Sequence, residues 1–231
     1  MRACIIAVPS RLYHAQKICT NLLTIGQHID SVAIKMDYQG RGPWFNIERA
    51  LWDSVSAWEP FLILQDDVLL NMQNPKLSIH LQQLEYQIRS SALGLISIFT
   101  PPQKRFREKA EQGYNAMIGN YFMWGQMFMV SPEFAKIVLA VDNFLSPEVK
   151  HHDEVRFRVA SQVYQVDMMT VIGSLCRHNL EIPSTLGTGP KVGKTWRDTQ
   201  ILADSNTDFS EIEFFEYRTD ADKQAYYRES A

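Results

Sequence analysis

Short apolar runs alternate with longer amphipathic stretches along the first hundred residues. Arg2 to Val8 is apolar after its first residue, and Pro9-Ser10-Arg11 ends it. Ile18, Leu22, Leu23 and Ile25 follow at helical spacing, with Gly26 placed to cap that helix. Ser31 to Met36 is a second strand-like run, and Asp37 stands just beyond it. Ile47, Ala50, Leu51, Ser54, Val55 and Trp58 then share one helical face. That helix opens at Asn46 as N-cap, or earlier at Pro43, and Glu59-Pro60 stops it. Phe61 to Val68 is a third run. Leu77, Leu81, Leu84 and Ile88 mark an amphipathic helix, and Leu93 to Phe99 is a fourth run. The order β-α-β-α-β-α-β predicts an α/β fold with a parallel sheet and right-handed crossovers. Runs that are apolar throughout, rather than alternating, belong to strands buried on both faces.

The pattern changes after residue 100. Pro101 to Gly113 is polar and carries Lys104, Arg105, Arg107 and Lys109. It reads as a solvated loop, or as a segment that meets an anionic ligand or acceptor. Trp124 to Val130 predicts a strand, and Ser131-Pro132-Glu133 a helix start. His151-His152-Asp153-Glu154 opens a further helix through Val155, Phe157, Val159 and Ala160, and Gln165 to Ile172 predicts another strand. A glycine-bearing stretch from Gly187 to Gly193 runs into Lys194-Thr195-Trp196-Arg197.

Within this pattern one junction stands out. Phe61-Leu62-Ile63-Leu64 runs through Gln65 into Asp66-Asp67, and Val68-Leu69-Leu70 follows. Two adjacent carboxylates at the end of a buried strand need a positive partner, because burying unpaired charge is costly. Open α/β sheets bind ligands at the carboxyl ends of their strands. A divalent cation seated there would neutralise the pair, and hard oxygen ligands suit Mg²⁺ or Mn²⁺. A solvated acidic turn is the plainer alternative. Asp37 likewise reads either as a ligand for a ribose hydroxyl or as a turn former before Gly40 and Gly42.

Composition narrows the class. The chain has 231 residues, of which 45% are hydrophobic and 21% charged, so a large core is within reach. No apolar run is long enough to span a bilayer, and the N-terminal run is too short for a secretory signal. Cys4, Cys19 and Cys176 lack metal-type spacing and read as reduced thiols of an intracellular protein. The formal net charge is −3, but residues 204–231 hold eight acids and three bases, so the preceding body is slightly basic. The boundaries that follow are one domain over 1–203 and an acidic extension over 204–231. Phe209, Ile212, Phe214, Phe215 and Tyr217 suggest that the extension packs on the body.

Four segments, in order, resemble glycosyltransferases of the GT-A type. Leu64-Gln65-Asp66-Asp67-Val68 is similar to that fold's acidic metal motif, although Gln65 stands where many members have an acid. Trp124 to Ala135 resembles the acceptor-side strand and helix. Asp153-Glu154-Val155-Arg156-Phe157 looks like the motif that supplies the base in inverting members. Ser174 to His178, with Pro183 to Gly187, is similar to the late segment whose histidine completes the metal shell. The closest likeness is to small bacteriophage enzymes that glycosylate modified DNA bases.

The resemblance implies a Rossmann-like, mostly parallel central sheet flanked by helices, with a mixed acceptor-side half. Residues 1–100 would form the nucleotide-sugar half and 114–203 the acceptor half. It implies a metal-dependent transfer from a nucleotide-sugar donor, such as a UDP-sugar, to a hydroxyl. Hydroxymethylated pyrimidine in phage DNA is the acceptor it suggests, in the host cytoplasm and away from membranes. Asp67 and His178 would ligate Mn²⁺ or Mg²⁺, with Asp66 beside them. Pro9, Ser10, Arg11 and Asp37 would hold the nucleoside, and Lys194 and Arg197 would clamp the diphosphate. Asp153, or Glu154, would be the general base. Residue by residue the bland alternatives are a structural histidine at 178, an exposed basic loop at 194–197 and a helix cap at Asp153. Two other classes stay open: a binding module that performs no transfer, and a nucleotidyltransferase that releases pyrophosphate.

Overall fold

A computed structural model describes residues 1–25, 28–122, 125–182, 199 and 201–218. The first strands fall where the apolar runs place them: β1 (Arg2–Ala7), β2 (Ser31–Met36) and β3 (Phe61–Gln65). Between them lie α1 (Leu12–Ile25) and α2 (Pro43–Ala57). After the pair Asp66-Asp67 come β4 (Val68–Leu70), α3 (Leu77–Ser90), β5 (Leu95–Ser97) and α4 (Lys104–Glu111). The second half holds β6 (Ala116–Gly119), β7 (Met127–Val130), α5 (Pro132–Ala140), α6 (Asp153–Tyr164), β8 (Met168–Val171), β9 (Cys176–His178) and β10 (Phe214–Tyr217).

Eight strands form one sheet in the order β10-β6-β8-β5-β7-β3-β1-β2, and β4 pairs with β9 separately. Four of its seven strand pairings are parallel, β1 with β2 and β3, β5 with β8, and β10 with β6. β7 lies antiparallel between β3 and β5, and β6 is antiparallel to β8. The fold is therefore α/β with a mostly parallel sheet, mixed in its second half.

The two faces divide the core by strand alternation. Ile5, Leu62, Leu64 and Ile96 point to the side covered by α1 and α3. Cys4, Ile6, Phe61, Ile63 and Leu95 point to the side covered by α2, α5 and α6. Both faces are dry, which is why these strands carry apolar residues at successive positions.

Three expectations need correction, and two strands were not expected. The run from Phe61 to Val68 is broken at the two aspartates, because backbone there turns toward β9 rather than continuing the ladder. Residues 104–111 are helical, not a loop: they are good helix formers, with Phe106 fully buried and Lys104 bridging Glu108 at 3.0 Å one turn on. Asn46 is not an N-cap; α2 starts at Pro43 after Gly42, and the buried Asn46 amide donates to the Ala7 carbonyl at 3.3 Å. Two short strands, β6 and β10, lacked a pattern long enough to notice. β10 adds residues 214–217 to the sheet, while Ala203 and Phe209 enter the core beside α3.

Candidate functional site

The carboxyl ends of β1, β2 and β3 meet at one edge of the sheet. Pro9-Ser10-Arg11 forms a 3-10 turn there, with Pro9 and Ser10 exposed and Arg11 buried. Arg11 is the positive partner that the paired carboxylates require. Its Nη1 donates to Asp66 Oδ1 at 2.7 Å and reaches Asp67 Oδ2 at 3.4 Å. The Val8 amide donates to the other Asp66 oxygen at 2.9 Å. Both aspartates are buried, so the solvated-turn alternative does not describe them. Burial pushes the Asp66 carboxyl above the usual carboxylate range; the Val8 amide and Arg11 oppose this and the Asp67 charge adds to it.

His178 is brought to the same place by the β4–β9 pairing. Val68 pairs with His178, and the Asn179 amide donates to the Asp67 carbonyl at 2.6 Å. The His178 Nε2 lies 3.9 Å from Asp67 Oδ2. Asp67 Oδ1 is buried and has no hydrogen-bond partner among the described residues. An orphaned carboxylate oxygen in a dry site is costly unless something positive meets it. That oxygen and the nearby imidazole fit a divalent cation. Among the described residues no group of three or more His, Cys, Asp and Glu side chains is arranged to hold a metal. Mn²⁺ or Mg²⁺ at this edge would thus rely on other ligands as well, as Mg²⁺ does when substrate phosphates complete its shell.

Asp153 arrives from the other half of the chain. β3 and β7 pair with Leu64 opposite Met127, and the Gln65 amide continues the ladder to the Gln126 carbonyl at 2.8 Å. Gly125 is the residue before Gln126. The Asp153 carboxylate lies against Gly125, with Oδ2 3.5 Å from where a β-carbon on that glycine would stand. Asp153 therefore sits beside the neighbour of Gln126, whose carbonyl meets the Gln65 amide just before the aspartate pair. Burial, the strongest influence, raises the Asp153 carboxyl above its ordinary range, while the Glu154 and Asp153 amides and His152 oppose it. The cap of α6 is His152, so Asp153 sits in the first turn rather than at the capping position. The Tyr121 hydroxyl is raised first by burial, and the Glu154 charge adds to that.

Asp37 is the turn former. Its carboxylate accepts from the amides of Gln39 at 3.2 Å, Arg41 at 3.0 Å and Gly42 at 2.8 Å. Burial opposes its ionisation, but these amides together with that of Gly40 outweigh it and hold the carboxyl below the usual range. Lys194 and Arg197 lie outside the described residues, as do Trp124 and the segment from Pro183 to Gly187. The basic segment is partly committed to packing. Arg105 stacks over Tyr121 at 4.3 Å and Tyr217 at 4.0 Å, and Lys109 lies over Tyr114 and Phe215.

The approach of Asp153 to Gly125 had no signal in the sequence, since it joins residues far apart in the chain. No protein-family model matches the sequence, and no curated protein matches it. Among solved structures the chain is similar to a protein from STIV, at 15% identity and a TM-score of 0.46 over 77% of this chain and 85% of that one. It is also similar to a glycosyltransferase involved in glycosylation of the major capsid of PBCV-1, at 17% identity and a TM-score of 0.42 over 71% and 75%. A third similar structure is a mutant of Drosophila β-1,4-galactosyltransferase 7 in complex with manganese, UDP-Gal and xylobiose. There the identity is 14% and the TM-score 0.45 over 91% of this chain and 84% of that one.

Proposed function

We propose that this chain is a metal-dependent glycosyltransferase that moves a sugar from a nucleotide-sugar donor to an acceptor hydroxyl. The observation that carries it is the approach of His178 to Asp67 at the sheet edge, with a buried Asp67 oxygen unsatisfied. When bound there, Mn²⁺ or Mg²⁺ stabilises the charge that develops on a departing nucleoside diphosphate. Asp67 and His178 are the residues that would hold it. Asp66 is already engaged by Arg11 and the Val8 amide, which favours Asp67 as the ligand of the pair. Pro9 and Ser10, exposed at the same edge, and the Asp37 loop border the space for the nucleoside. Lys194 and Arg197 remain the clamps that the resemblance suggests.

Asp153 is the better candidate for general base. A carboxylate raised by burial is a stronger proton acceptor at neutral pH than a solvated one. It lies beside Gly125, one residue from the Gln126 carbonyl that meets the Gln65 amide ahead of the aspartate pair. Direct displacement with one base inverts the anomeric centre. A UDP-sugar is the donor that the motif resemblance favours. Hydroxymethylated pyrimidine as acceptor keeps that same support, but the cationic segment adds less to it than its composition suggested, since Arg105 and Lys109 pack on aromatic rings.

The test is a donor panel with Mn²⁺ and Mg²⁺, scoring nucleoside diphosphate release and labelling of hydroxymethylated DNA, glycan and protein acceptors. Release is expected from the parent chain and is lost in Asp67→Asn and Asp153→Asn. Donor binding without release by any acceptor would make the chain a binding module, and pyrophosphate as product would make it a nucleotidyltransferase.

A further inference from the structure

The buried guanidinium of Arg11 occupies the place where a cation is needed. Its shorter bond goes to Asp66, at 2.7 Å, and its longer one to Asp67, at 3.4 Å. All three side chains are about nine-tenths buried or more. The Val8 amide holds the second Asp66 oxygen, so Asp66 is satisfied on both sides. Asp67 is not: one oxygen shares Arg11 with Asp66 and faces His178, and the other has no hydrogen-bond partner among the described residues. The asymmetry divides the pair into a structural carboxylate and an available one.

We propose that Arg11 is an internal counter-ion that competes with a divalent cation for Asp67 and sets the metal affinity of the site. This rests on the metal reading of the site given above. With no metal bound, the guanidinium keeps two buried carboxylates from facing each other uncompensated. When a divalent cation meets Asp67, the long Arg11–Asp67 contact gives way while the short Arg11–Asp66 bond stays. Arg11 thereby keeps the edge folded between turnovers. It also weakens cation binding, since a positive charge 3.4 Å from a ligand oxygen repels an incoming ion across a poorly screened gap. A residue that merely supported the fold would have the opposite effect on metal binding when removed.

The experiment measures Mn²⁺ binding by electron paramagnetic resonance, with no donor or acceptor present, for the parent chain, Arg11→Met, Arg11→Lys and Asp67→Asn. Arg11→Met is expected to bind Mn²⁺ about tenfold more tightly than the parent. Arg11→Lys, which keeps the charge but not the fork, stays within about threefold. A folded Arg11→Met chain with equal or weaker Mn²⁺ binding overturns the proposal. If Arg11→Met does not fold, the parent chain decides through Mg²⁺ titration followed by arginine side-chain NMR. A shift of the Arg11 guanidinium signals in step with Mg²⁺ occupancy supports displacement, and an unmoved Arg11 during Asp67-dependent binding refutes it. Mn²⁺ binding that is absent from the parent, or unchanged in Asp67→Asn, instead removes the metal reading on which the proposal stands.

Discussion

Replacing Phe209 by alanine tests whether the acidic C-terminal stretch is part of the fold or a covering laid over it. Phe209 is fully buried among residues of β5, α3 and their neighbours. Its ring meets His80 edge-on, with centroids 5.4 Å apart at 77°. Its backbone is also tied to α3: the Phe209 amide donates to Gln83 at 3.1 Å, and the Gln87 side chain donates to the Phe209 carbonyl at 3.3 Å. Truncating a buried phenylalanine costs about 3–5 kcal/mol, through lost transfer free energy and the cavity left behind. The edge-to-face pair adds about 0.5–1.5 kcal/mol to what area alone contributes. A loss of about 4 kcal/mol is expected, which for a chain of this size lowers the melting temperature by roughly 8–16 °C. Urea unfolding is the assay, with the midpoint falling and the slope unchanged. Phe214→Ala is the control: that ring is 45% exposed, and its loss should cost about 1 kcal/mol or less. A Phe209→Ala chain within about 1 kcal/mol of the parent would refute the reasoning, because a ring in a closed core cannot be removed so cheaply.

Three further outcomes follow from the site and its supports. Asp153→Asn should raise stability at neutral pH while abolishing transfer: a carboxyl raised by burial favours its protonated form in the folded state, so its charge costs stability above the folded pKa, and the parent gains stability as pH falls toward the carboxylate range. Melting curves from pH 4 to pH 8 check this, and a variant less stable than the parent at pH 7 contradicts it. Asp37 carries the opposite sign; its lowered carboxyl contributes stability that is present above the ordinary aspartate pKa and is lost as pH falls through the folded value, so Asp37→Asn should flatten that acid limb in a pH series of urea midpoints. Gly119→Ala should detach β10, because the new β-carbon would stand 1.9 Å from the Tyr217 carbonyl oxygen, at a φ of +157°. Hydrogen exchange of the 214–217 amides should then rise to that of exposed chain, and unchanged protection would count against this.

Much of the first half could be read directly, since each strand there is a separate apolar run and each helix a stripe of matching period. β1, β2 and β3 fall within the predicted runs, and Asp66 and Asp67 stand at the carboxyl edge as buried charge demanded. The charge of Lys104 to Lys109 misled, because solvated loops and short surface helices share that composition, and only Phe106 betrays the buried side. β6 and β10 are four residues each, too short for periodicity to separate them from loop.

What the sequence determined by itself, then, is local: where apolar runs begin and end, which residues bear carboxylates and imidazole, and that two adjacent acids after a buried strand require a cation. Tertiary structure alone decided which cation stands there in the protein itself, that Asp67 rather than Asp66 keeps an unmet oxygen, and that Asp153 lies against Gly125. Those are long-range relations, set by β7 inserting antiparallel beside β3 and by β9 folding back on β4. Strand order is fixed by burial of whole faces, and no residue at positions 66, 125, 153 or 178 encodes it locally.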